Sequence, residues 1–199
     1  LRYTELITAN LTNSNLVNAN LVNAKLDWAN LQNSNLKGAD LRYASMENTN
    51  LSKVNLEGAN LVNAQMQSVN LDSSNLTDAS LFDANLSKAN LEYAILKDAW
   101  LWYANLSDAN LRNANLEVAD LRYANLINVN LEGADLSNAS LFDVKLMNSN
   151  LRNANFQGVN LKYANLNGSD LNGTLLCEAV IDTDFNMQEW IGIPILDKD

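Results

Sequence analysis

The side chains of this sequence with the most capacity for chemistry are aromatic and cationic, and they recur at one spacing. Phe82, Trp102, Arg122 and Phe142 follow one another at intervals of 20 residues. Tyr103, Tyr123 and Tyr163 sit one residue beyond positions of the same series, and Trp100 lies two before Trp102. If residues 20 apart are neighbours in space, Arg122 lies between Trp102 and Phe142 at stacking distance, a cation–π arrangement. Tyr, Trp and Arg gathered on a surface make good anchors for a partner. The competing reading is structural, because β-surfaces favour aromatic and branched residues and adjacent rungs support each other. The chemistry predicted is therefore recognition. Its candidate face is Phe82, Trp100, Trp102, Tyr103, Arg122, Tyr123, Phe142 and Tyr163.

Other chemistries lack their residues. The chain has no His, the commonest general base and transition-metal ligand. Its single Cys, Cys177, rules out an intrachain disulfide and a zinc cluster, and reads as a free thiol. The glycines are isolated, so no loop can cradle a phosphate. No catalytic residue, cofactor site or metal site is predicted. A net charge of −10 disfavours direct contact with a nucleic-acid backbone. No apolar run reaches the ~18 residues needed to span a membrane. The lone thiol leans toward a reducing compartment such as the cytoplasm; removal of a presequence before Leu1 would point instead to a periplasm or thylakoid lumen.

The elements that carry these side chains follow from a period of five. From Leu1 to Leu176 every fifth residue is Leu, except Met46, Met66 and Phe156. The residue two before each is Ala, Ser, Thr or Val, and the residue just before is usually Asn or Asp. A period of five fits neither helix nor flat strand, so the chain must coil as a repeat. The large centre residue and the small residue point inward and the other three point outward, filling a narrow interior. Six of the seven Gly fall two after a centre, which marks a corner that tolerates positive φ. Five of the six Tyr are separated by multiples of 20, and Asn10 to Asn150 form an unbroken series of 20. Four pentads per coil and about nine coils follow. Asn ladders should tie the coils together.

Ala, then Asn or Asp, then Leu, repeated in this way over residues 1–183, resembles the A(D/N)LXX signature of pentapeptide repeat proteins. The resemblance implies an all-β chain folded as a right-handed quadrilateral parallel β-helix. With coils ~4.8 Å apart the rod would be about 40 Å long and smooth, without a cleft. The resemblance also implies a non-catalytic scaffold or protein-interaction module presenting a flat β-surface. The alternative it offers is a DNA-mimicking regulator or protector of DNA gyrase, as some family members are. This chain has no loop insertion and only a short tail, and its acidity is spread. One side bears Glu57, Asp78, Asp98, Glu117, Asp135 and Glu178 against Lys37 and Lys97.

After Ile181 the register fails. Residues 184–199 read as a C-terminal cap carrying one short helix, opened by Thr183 or Asp184 and closed by Gly192 and Pro194. Trp190, Ile191, Ile193, Ile195 and Leu196 could instead form a dimer contact. No lid is visible at the N-terminal end: either residues are missing there, or two rods meet.

Overall fold

The structure, a computed structural model, describes residues 1–181. The last two residues of the predicted repeat domain, the predicted cap and its dimer contact lie outside the described residues. Within them each pentad repeats one local form, a two-residue turn and then a single bridging residue. Every bridge is parallel and joins residues 20 apart, from Glu5 with Lys25 to Asn160 with Val180. Four pentads thus make one coil, and the coils stack into a quadrilateral parallel β-helix.

The form repeats because it answers the amide groups of a pentad almost completely. In the pentad Asn105–Ala109, the Asn105 N–H donates to Ala84 O on the preceding coil at 2.9 Å. The Leu106 and Asp108 N–H groups donate to Asn125 O and Ile127 O on the following coil, at 2.7 and 3.0 Å. Ala109 N–H closes the turn on Leu106 O at 3.1 Å. The remaining amide, Ser107 N–H, has no carbonyl within reach and donates to Asn105 Oδ1 at 3.2 Å. A backbone group left unanswered is costly, so Asn or Asp before the centre residue is part of the backbone's own bonding. Its amide also reaches along the rod. From Asn50 to Asn150 each Nδ2 donates to the Oδ1 one coil earlier, at 3.0–3.3 Å.

The turn demands positive φ at its third residue, the signature of a type II turn. All positions two after a centre, from Tyr3 to Glu178, have φ between +54° and +77°. Gly fills six of them, as the sequence predicts, but Asn fills more, and all six Tyr stand here too. Asn tolerates this region through local hydrogen bonding, whereas β-branched residues do not. Val118, at φ +60°, is held in a conformation it disfavours.

Inside, the centre residues from Leu21 to Phe156 are all but fully buried, with the small residues alternating between them. Burial of each Leu is worth roughly 1.5–3 kcal/mol. Where Ser or Thr replaces Ala, the hydroxyl donates to a centre carbonyl, as Ser34 does to Leu31 O at 2.6 Å and Thr49 to Leu26 O at 2.7 Å; Ser14, in the first coil, is the exception, its buried hydroxyl left without a partner among the described residues. In the first coil Leu1 is exposed and Leu6, Leu11 and Leu16 are half-buried. On the acidic side, Lys37 and Lys97 pair with Glu57 and Glu117, each at 2.8 Å across one coil spacing.

Two substitutions test this scheme. Leu91→Asp places an unpaired charge in the dry interior, and thermal unfolding should show severe loss of stability, more than about 4 kcal/mol. Val118→Asn removes a β-branched residue from the left-handed region and should stabilise the rod by about 1 kcal/mol, read as a raised denaturation midpoint.

Candidate protein-interaction face

The candidate face occupies one side of the coil, built from pentads centred on Leu81, Leu101, Leu121, Leu141 and Leu161. The residue after each centre contributes Phe82, Trp102, Arg122 and Phe142, and the turn residue beyond it contributes Tyr103, Tyr123 and Tyr163. Stacking at 20 residues brings all seven together. Tyr103 and Tyr123 stack with ring centres 5.0 Å apart and planes 8° from parallel. Phe82 meets Tyr103 edge-on at 5.9 Å, and Phe142 meets Tyr123 and Tyr163 edge-on at 5.7 and 5.2 Å. The two columns therefore interlock diagonally, the residue after one centre against the turn residue of an adjacent coil. Such aromatic pairs contribute about 0.5–1.5 kcal/mol beyond their area.

Arg122 is placed differently from the prediction. Its guanidinium lies over the Trp102 ring, 3.7 Å from the ring centre, a cation–π contact. It is not sandwiched by Phe142, whose ring turns to Tyr123 and Tyr163 instead. Asp120 fixes the guanidinium in plane. Arg122 Nε and Nη2 donate to its carboxylate, both at 2.8 Å, and the Arg122 N–H donates to Asp120 Oδ1 at 3.3 Å. Asp40 and Arg42 repeat this fork lower on the same face, and there the guanidinium holds the Asp40 carboxyl below its ordinary range.

Trp100 departs most from the pattern. It stands where, in most pentads, Asn or Asp answers the N–H two residues on. On the same column Asn60 caps Val62 and Asp120 caps Arg122, whereas Trp100, like Ser80 and Ser140, leaves the N–H two residues on (Trp102, Phe82 and Phe142) without a protein acceptor among the described residues. Trp100 is 66% exposed, so its ring is not packed in exchange. Ile95, exposed one pentad earlier, is a second apolar intruder in an Asn position. Between Trp100 and the Phe82, Trp102 and Arg122 column the surface opens into a cleft of about 530 Å³, completed by Ser80 and Asp120. The smooth rod predicted from the repeat is thus interrupted. The cause is local: a large ring projects between the short side chains of Ser80 and Asp120 on the adjacent coils. Among the described residues no group of His, Cys, Asp or Glu could hold a metal ion. Cys177 is a free, exposed thiol.

Restoring the repeat at this point measures what Trp100 costs. Trp100→Asn should regain the bond to the Trp102 N–H, worth about 0.5–1.5 kcal/mol. A melting temperature higher by a few degrees is expected; a lower one would mean that Trp100 supports the rod.

Comparison with known proteins agrees with this architecture. The family model described as pentapeptide repeats, in eight copies, matches residues 1–33, 19–58, 59–98, 101–138 and 139–176. Among solved structures, the chain is similar to HetL from the cyanobacterium Nostoc sp. strain PCC 7120, a pentapeptide repeat protein involved in regulating heterocyst differentiation. The identity is 31%, the TM-score 0.51, and the likeness covers 92% of this chain and 91% of HetL. Full-length QnrB1, a plasmid-mediated fluoroquinolone resistance protein, is similar in fold, with 20% identity, a TM-score of 0.59 and coverage of 84% of this chain and 87% of that one. Among curated protein sequences there is no match. The pentads, their four-to-a-coil stacking and these likenesses together make the chain a member of the pentapeptide repeat family, a right-handed quadrilateral β-helix.

Proposed function

We propose that this protein is a rigid scaffold that presents its aromatic face to a protein partner. The observation that carries the reading is Trp100. At a phase where most pentads carry a backbone-capping Asn or Asp, the chain places a large ring that stays 66% exposed, next to Trp102 and Arg122. Departures from a local rule without structural return concentrate where a protein acts on something else. The rest of the patch has the composition of a binding hot spot, with Trp, Tyr and Arg around an apolar cleft. Tyr103 and Tyr163 are more than half exposed, and the Tyr103–Tyr123 stack keeps both rings in place before any partner arrives. Such pre-ordering lowers the cost of association.

A gyrase-directed role as a DNA mimic draws less support. Its basis is acidity, and on the more acidic side Glu57 and Glu117 are already paired with Lys37 and Lys97.

Affinity capture from an extract of the native source cells tests the proposal. Wild-type protein should retain a partner that the Trp102→Ala, Tyr123→Ala double variant retains at least about tenfold less well, a loss of ~1.4 kcal/mol or more. The variant should keep the circular dichroism and cooperative melting of the wild type. If the double variant unfolds, or binds equally, the patch serves the rod rather than a partner.

A further inference from the structure

Resting on this partner-binding reading and narrowing it, we infer that the cleft beside Trp100 takes a proline-rich segment in the polyproline II conformation.

The first argument is hydrogen-bond inventory. The cleft is walled by Phe82, Trp100 and Trp102, and its unengaged polar groups are nearly all donors. Neither indole N–H has a protein acceptor among the described residues, and the backbone N–H groups of Phe82 and Trp102, which follow Ser80 and Trp100 rather than Asn or Asp, have none either. Arg122 uses Nε and Nη2 on Asp120, which leaves Nη1. The one carboxylate in the cleft, Asp120, is taken up by Arg122, so the Ser80 hydroxyl is the remaining side-chain acceptor. A site of donors over aromatic planes suits a ligand that offers acceptors and few donors. Proline residues supply a carbonyl each and no N–H, and their rings lie flat against aromatic faces. A sugar brings as many donors as acceptors, which this lining leaves unmatched. A cationic segment meets Arg122 and finds no unpaired acid.

The second argument is pitch. The cleft draws on three successive coils, through Ser80 and Phe82, Trp100 and Trp102, and Asp120 and Arg122. Coils stack at ~4.8 Å, so its outer rungs are ~9.6 Å apart. A polyproline II helix has three residues per turn at ~3.1 Å each, or ~9.3 Å per turn. Prolines one turn apart therefore meet the Phe82 and Arg122 rungs in register, with Trp102 between them. The polyproline II backbone makes no internal hydrogen bonds, so its carbonyls are free to accept from the indole and guanidinium donors. Ligand and platform are both ordered beforehand, which spares much of the entropy cost of binding.

The test titrates the full chain with acetyl-(Pro)₉-amide by calorimetry, using a Gly-Ser peptide of equal length as control. Saturable one-to-one binding of the proline peptide alone is expected. It should weaken at least about tenfold in Trp100→Ala and in Trp102→Ala, and be unchanged in Trp28→Ala, which removes an exposed Trp outside the cleft. Circular dichroism and melting establish that each variant is folded. No binding at millimolar peptide, equal binding of the Gly-Ser peptide, or undiminished binding by folded Trp100→Ala and Trp102→Ala would overturn the inference. Failure of the peptide combined with partner capture that still depends on Trp102 and Tyr123 would overturn the polyproline assignment and leave the scaffold reading standing. Loss of both would end both.

Discussion

A pentad stacks on its copy 20 residues away by answering nearly all of its five amides together, and that constraint organises this molecule. Three N–H groups go to neighbouring coils and one closes the turn. The fifth goes to the Asn or Asp side chain before the centre residue. This last bond explains why a polar residue recurs directly beside a buried Leu. It also explains the amide ladder, since an Asn oxygen that caps its own turn can accept a second bond from the Asn above it, as Asn30 Oδ1 does from Gln32 N–H and Asn50 Nδ2. The hydrophobic shaft supplies most of the driving force, but burial is non-directional. The amide pattern makes the winding four-sided and the spacing uniform.

Much of this was legible in the sequence, because the repeat writes each structural role at a fixed phase. The inward Leu and small columns, the Gly corner and the period of 20 carry over directly into burial, φ and bridging. The role of the corner was only partly legible. Gly advertises positive φ, whereas Asn at the same phase is also common at other outward positions, and Tyr there looks like a surface choice. The left-handed strain at Val118 is not visible without a backbone. Side-chain direction was the harder matter. Spacing places Phe142 one rung from Arg122, but rings in twisted neighbouring rungs choose partners diagonally, so Phe142 pairs with the turn tyrosines. Nor does a repeat pattern foretell a cleft, which depends on how far one ring stands above its neighbours.

The same regularity gives the exceptions their meaning. In an irregular protein one exposed Trp needs no explanation. Here the position of Trp100 has a recurrent task, performed by Asp120 one coil later and Asn60 two coils earlier, though not by Ser80 on the coil between. The shortfall at the Trp102 amide can be stated bond by bond. The ion pairs need no such reading. They join neighbouring coils or turn residues at exposed sites and contribute little each. The aromatic stripe lies between these cases, since its rings support one another along the rod as well as facing outward.

All bridges in the described rod join residues one coil apart, and no bridge reaches further. The coil is therefore an interchangeable module whose neighbours are blind to everything beyond the adjoining layer. Genetic duplication or loss of 20 codons would lengthen or shorten the rod while keeping every surface column at its original azimuth. Evolution could slide the tryptophan cleft toward either end of the molecule, in steps of one coil, without turning it to another side.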